Sequence, residues 1–144
     1  MKDSSKNHDG AHASVTGTAE LGFVEEVLDT LEDLYTTTGD VSAEDRTFFS
    51  LAVSEIATNI VTHGETETEV TVTADLAVDD ESLSAEFQDD AEPVELPLEA
   101  AALPDEFAES GRGLAIAKMA LDQLSHKADD GHTWHLMRRR RPGE

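Results

Sequence analysis

The chain has 144 residues, which is one domain's worth of polypeptide. Acids outnumber bases 32 to 10, for a formal net charge of −22, which argues against nucleic acid or anionic lipid as a ligand of the whole surface. The absence of cysteine excludes disulfides, thiolate metal sites and Cys nucleophiles. Apolar residues make up 38% of the chain and aromatics only 5%, so Leu, Val, Ile and Ala must fill the core. The longest apolar runs fall far short of the ~20 residues that span a bilayer. The first ten residues lack the apolar segment of a signal peptide. A cytoplasmic protein is expected.

Residues 1–12 are polar and aperiodic and read as a disordered tail. Ala13 to Gly17 suits a short edge strand. From Leu21 to Tyr35, apolar residues at Leu21, Val24, Val27, Leu28, Leu31 and Leu34 recur in steps of three and four, which predicts an amphipathic helix. Ser42 is a good N-cap, with Asp45 in the capping-box position, and a second helix is expected from Ala43 to His63, stopped by Gly64. Glu69 to Val78 and Glu81 to Asp89 alternate as strands, with Asp79-Asp80 as the hairpin turn. Residues 90–110 carry Pro93, Pro97 and Pro104 and read as a loop with one short helical piece. Gly111 is expected to open a third helix. Strands at Gln123 to Lys127 and His132 to Met137 follow, joined by Asp129-Asp130-Gly131. Helices over one face of an antiparallel or mixed sheet make an α+β sandwich.

Four constellations can carry chemistry. Glu55, Asn59 and His63 fall at i, i+4 and i+8, on one edge of a helix whose apolar stripe is Leu51, Ala52, Ile56 and Ile60. A carboxylate there can serve as a general base, and a carboxamide oxygen can ligate Mg²⁺. The same spacing suits a polar edge facing water. Asp89 continues the face of Leu83, Ala85 and Phe87, so it is partly buried and calls for a donor such as an adenine amino group; Asp89-Asp90 also suits a plain turn.

Gly111-Arg112-Gly113-Leu114 would let backbone N–H groups approach a phosphate at a helix start, although Gly-x-Gly also serves ordinary turns. Residues 65–110 hold sixteen acids and no Lys or Arg, which leaves Arg112 as the only Lys or Arg between Arg46 and Lys118. Thr133, after Gly131-His132, is placed to bond a base or the Asp89 carboxylate, or is a simple strand threonine. The run Arg138 to Arg141 pairs with the protein's own acids or with an acidic partner surface rather than with nucleic acid.

In this order and spacing, the four sets resemble the GHKL ATPase superfamily, and within it the small bacterial anti-sigma-factor serine/threonine kinases. Leu51-Ala-Val-Ser-Glu55-Ile-Ala-Thr-Asn59-Ile-Val-Thr-His63 is similar to that family's N-box. Asp89-Asp-Ala-Glu-Pro93 is similar to its first glycine box, and Gly111-Arg-Gly-Leu-Ala-Ile to its second. The resemblance covers about residues 15–138. It implies a Bergerat-type two-layer sandwich, its mixed, mostly antiparallel sheet covered on one face by helices. The domain would run over 13–138, with 139–144 as a basic tail.

The resemblance also implies roles. Glu55 would be the general base and Asn59 the Mg²⁺ ligand, with His63 ordering the helix end. Asp89 would accept from the adenine amino group beside Ala91, and Thr133 would support that end. Gly111, Arg112 and Gly113, with Leu114 completing the box, would close over the phosphates. The implied protein binds ATP and Mg²⁺, sequesters a sigma factor and phosphorylates a small anti-anti-sigma protein, commonly as a homodimer, with no direct contact to nucleic acid or membrane. One position departs: the family's Asp-x-Gly is Asp89-Asp90-Ala91 here. At φ < 0 the methyl is tolerated; at φ > 0 it would be strained by ~1 kcal/mol or more. The first case is the expectation. The alternative is a member without catalysis that keeps the fold as a protein-binding module.

Overall fold

The computed structural model describes residues 10–64, 70–91, 108–129 and 131–141. In chain order they form β1 (Gly10–Thr18), α1 (Leu21–Thr38), α2 (Ala43–Gly64), β2 (Thr71–Asp79), β3 (Ser82–Asp89), α3 (Ala108–Ala120), β4 (Gln123–Asp129) and β5 (Gly131–Arg139). The five strands make one sheet in the order β1-β2-β3-β5-β4. Every ladder among them is antiparallel, so no mixed pairing is seen in the described residues.

Helix periodicity sets α1. Phe23, Val24, Val27, Leu31, Leu34 and Tyr35 are buried along one face. Gly39, at φ 75°, ends it by donating its N–H to Tyr35 O at 2.8 Å. Ser42 caps α2 as expected: its Oγ accepts the Asp45 N–H at 3.1 Å. The reciprocal half of the capping box is replaced by a longer-range contact. Both Asp45 carboxylate oxygens are taken by the C-terminal strand, from Arg138 Nε at 3.0 Å and the Arg141 N–H at 2.8 Å.

The β2–β3 hairpin turns where Asp79 Oδ1 accepts the N–H groups of Glu81 and Ser82 at 2.8 and 2.7 Å. Val72, Ala74, Leu76 and Val78 of β2 and Leu83, Ala85 and Phe87 of β3 are buried on one face. Trp134 and Leu136 of β5 continue that face across the ladder, where they pair with Phe87 and Ala85. The helices cover it with Val27, Leu31, Phe49, Val53, Ile56 and Ala117, and this layer is the core. The other face is polar, with Thr16 and Thr73 hydroxyls 3.2 Å apart and His135 3.7 Å from Glu86. The two-layer α+β sandwich follows from these faces.

Among the boundaries that differ from the sequence reading, two are strand ends extended by tertiary pairing. β1 begins at Gly10, paired with Asp79, rather than at Ala13. At the other end, the expected basic tail is folded chain as far as Arg141. Arg139 closes β5, and Arg140 donates from its backbone to Glu81 O and from its guanidinium to Asp79 O and Asp40 O. Arg141 pairs with Asp122 at 3.3 Å, so the arginine run engages the protein's own acids. Residues 1–9, 92–107 and 142–144, including the expected short helical piece, lie outside the described residues.

Candidate active site

The N-box half of the site stands on α2. Glu55 and Asn59 are one turn apart on the same edge, about 6 Å along the axis. Glu55 is half-buried, whereas Asn59 is 7% exposed. Its Nδ2 is buried with no hydrogen-bond partner. A buried amide without a partner is costly and uncommon in a packed interior. A half-turn about the terminal bond exchanges its nitrogen and oxygen, so the position suits a donor or an acceptor contact. The side chain of His63 lies outside the described residues.

The second glycine box packs against this edge. A Cβ at Gly113 would stand 2.6 Å from Glu55 Oε1. Only glycine lets α3 come this close to the carboxylate, so the fold joins two motifs that lie 58 positions apart in the sequence. The helix start differs from expectation. α3 begins at Ala108, three residues before Gly111. The backbone N–H groups of Arg112 and Gly113 therefore belong to the helix ladder, and Gly111, the fourth residue of the helix, is where that ladder begins. Arg112 is exposed on α3, and Leu114 is a core residue, 3% exposed.

The first glycine box lies at the end of β3. Asp89 Oδ1 accepts the Ala91 N–H at 3.0 Å. Asp90 ties the same end to β2: its Oδ1 accepts the Thr71 N–H at 2.8 Å. Burial raises the Asp89 carboxyl above its ordinary range, against the lowering influence of the Ala91 N–H, the His132 charge and the His132 N–H. Ala91 is buried in the core at 8% exposure. Among described non-glycine residues only Asp40 has a positive φ, so Ala91 takes an ordinary backbone conformation and its methyl is unstrained.

Thr133 does not reach this cluster. It pairs with Gln88 and Lys127, and alternation puts it on the polar face of the sheet. The residue opposite Asp89 is His132, which the sequence reading passed over. Parity within β5 is the signal that finds it: His132 shares the register of the apolar Trp134 and Leu136. Gly131 holds the turn beneath Asp89. At φ 109°, its Cβ would fall 2.0 Å from Asp89 O, against backbone that cannot swing aside.

These groups fit a Mg²⁺-nucleotide. The unpartnered Asn59 amide offers a carbonyl oxygen of the kind a hard cation takes, and the glycine cradle at Gly113 keeps the Glu55 carboxylate next to the phosphate box. No group of three or more His, Cys, Asp or Glu among the described residues could hold a metal. A cation at Asn59 would thus draw its remaining ligands from phosphate oxygens and water, as Mg²⁺ commonly does.

Comparison with known proteins gives the family and the fold. Residues 17–139 match the family model of the histidine kinase-like ATPase domain, and the chain belongs to that family. Membership in an ATPase-domain family implies ATP as the ligand. Among solved structures, the chain is similar to the crystal structure of the RsbU and RsbW domains of Rv1364c from Mycobacterium tuberculosis. The TM-score is 0.65 at 22% identity, over 93% of this chain and 34% of that one. It is also similar to the histidine kinase domain of the blue-light activated histidine kinase from Erythrobacter litoralis EL346, with a TM-score of 0.54 at 12% identity, over 81% of this chain and 58% of that one. The chain thus spans about a third of the first and under two thirds of the second. No curated protein matches its sequence. Among the described residues no helix is long and apolar enough to cross a membrane.

Proposed function

We propose that the chain is an ATP-dependent protein serine/threonine kinase of the anti-sigma type, which sequesters a sigma factor and phosphorylates a small anti-anti-sigma protein. The observation that carries the reading is the contact of Gly113 with Glu55 on the helix that also bears the unpartnered Asn59 amide. A base, a cation ligand and a phosphate box are thereby gathered on two packed helices. The likeness to a structure that holds an RsbW domain supports the anti-sigma part.

In this reading Asn59 holds Mg²⁺ through its carboxamide oxygen, and the ion supplies neutralisation of phosphate charge in a strongly acidic protein. Arg112 adds a positive side chain beside the phosphates. Asp89 accepts the exocyclic amino group of adenine. Glu55 takes the proton from a serine or threonine hydroxyl of the bound protein as that oxygen receives the terminal phosphoryl group of ATP, whose bond to the β-phosphate oxygen breaks to leave ADP. Sequestration of the sigma factor needs surface and not the base.

A second reading, a binding module without transfer, is favoured by one observation: the N–H groups of Arg112 and Gly113 lie within α3. The experiment that separates the two uses ATP labelled in its terminal phosphate, with Mg²⁺, wild type and Glu55→Gln, and a lysate of the source cell. The kinase reading expects label on serine or threonine of one small protein, lost by ~10²-fold or more in Glu55→Gln. ATP bound without any transferred label would favour the module.

A further inference from the structure

Two histidines meet at the strand end that carries Asp89. His126 Nε2 and His132 Nδ1 are 2.7 Å apart. Their rings stack at 5.0 Å, and His126 leans on the Trp134 ring at 4.4 Å. The register explains the row: His126 pairs with Trp134 and His132 with Asp89, so all four stand on the helix-covered face.

A separation of 2.7 Å between ring nitrogens leaves room for one hydrogen. Burial, and secondarily the charge of His132, lowers His126 to about 4. His126 is therefore neutral, and the one hydrogen shared by His126 Nε2 and His132 Nδ1 ties the two rings together. His132 acts on Asp89 through its ring charge and its backbone N–H, both of which favour the carboxylate anion. The surroundings contribute other charges. Asp90, beside Asp89, opposes the anion. α3, packed on β4, carries the exposed Arg112 and Lys118, and α2, packed on β3 and β5, carries the half-buried Glu55.

We propose that the His126–His132 pair is a positioning device for the base end of the site, holding the Asp89 carboxylate aimed to accept the exocyclic amino group of a purine. The inference rests on the ATP-binding reading above. His126 anchors the His132 ring, and the anchored residue stands directly opposite Asp89 in the ladder, with its backbone N–H on the carboxylate. Neither histidine touches the reacting phosphate.

ATP and ITP are the probes, because ITP carries a carbonyl where ATP carries the amino group. Each is titrated with Mg²⁺ into the full chain by calorimetry, for wild type, His126→Phe, His126→Gln and His132→Gln. Phenylalanine keeps a ring against Trp134 but removes the hydrogen bond to His132; glutamine returns a group that can make it. Wild type is expected to prefer ATP. In His126→Phe the preference falls by ~10-fold, the scale of one hydrogen bond to a charged group. It returns in His126→Gln, and ITP affinity stays constant throughout.

Emission of Trp134, the single tryptophan, checks folding of each variant. Should His126→Phe not fold, His132→Gln carries the same expected loss of preference. An unchanged ATP-to-ITP ratio in a folded variant overturns the inference, and so does an equal loss of both nucleotides, which marks a purely structural role. Wild type that binds neither nucleotide overturns the functional reading itself, and the inference with it.

Discussion

Replacing Gly113 by alanine separates stability from activity in a way the structure makes quantitative. The new Cβ would lie 2.6 Å from Glu55 Oε1, 3.7 Å from Glu55 Cδ and 3.9 Å from Glu55 Cβ. Only the first contact is too close, and it falls on the far end of a flexible side chain. The carboxylate can swing away at the cost of about 1 kcal/mol for an off-rotamer torsion. Glycine inside a helix is less stable than alanine by about 1 kcal/mol. The two nearly cancel, so Gly113→Ala should unfold in urea within about 1 kcal/mol of wild type. The displaced carboxylate is the proposed base, and a displacement near 1 Å at a reacting group costs up to ~10²-fold. Phosphotransfer should therefore fall by ~10-fold or more at unchanged stability, measured with terminally labelled ATP beside urea titrations. Full transfer activity in a stably folded Gly113→Ala protein would refute the role of this contact.

The ion pair of Asp45 with Arg138 gives a second test. Both side chains are buried, and Arg138 also bonds Ala120 O at 2.9 Å and lies over the Phe48 ring. Asp45→Asn should cost about 3 kcal/mol in urea unfolding, because the buried Arg138 charge loses its buried partner and is left with the exposed Glu44 carboxylate at 3.8 Å; a loss below about 1 kcal/mol would contradict the pairing. Histidine 126 sets a pH dependence. Its folded value of about 4 lies below the ordinary 6.5, so the unfolded chain takes up the proton first. Stability from this group is complete above pH 6.5 and is lost as pH falls from 6.5 towards 4, and the difference between wild type and His126→Phe in urea midpoints across that range isolates it. Ala91→Gly removes a buried methyl from an unstrained backbone, so it should lower stability by about 1 kcal/mol while the ATP dissociation constant moves by less than about threefold; a large gain in ATP affinity would show that the methyl obstructs the base.

Local pattern carried the sequence reading as far as local pattern decides. The spacing of Val24, Val27, Leu31 and Leu34 defined α1, and the alternation of Val72 to Val78 against Leu83 to Phe87 defined the hairpin and the buried face that Asp89 continues. Strand ends are set by partners far along the chain, which is why Gly10 and Arg139 joined the sheet unannounced. The capping box at Ser42 was half right for the same reason: Asp45 is drawn away by Arg138, 93 positions on. A glycine reads as a helix opener when only its neighbours are seen, yet Gly113 is explained by Glu55 across the helix pair. Residue type alone points to Thr133, which alternation sets on the polar face. The parity of Trp134, Leu136 and Arg138 would have selected His132 instead and would have marked Arg138 as the buried member of the arginine run.

The central claim is that Asn59 holds Mg²⁺ for a bound nucleotide, and calorimetric titration of ATP into wild type and Asn59→Ala, each with Mg²⁺ and with EDTA, tests it most directly. Because Asn59 Nδ2 is buried without a partner, its removal should cost little stability, and urea unfolding supplies that control. The account predicts ATP binding by wild type in Mg²⁺, none in EDTA, and loss of the Mg²⁺-dependent part in a stable Asn59→Ala protein. Equal ATP affinity in Mg²⁺ and EDTA, or an Asn59→Ala protein that binds Mg²⁺-ATP as wild type does, would contradict it.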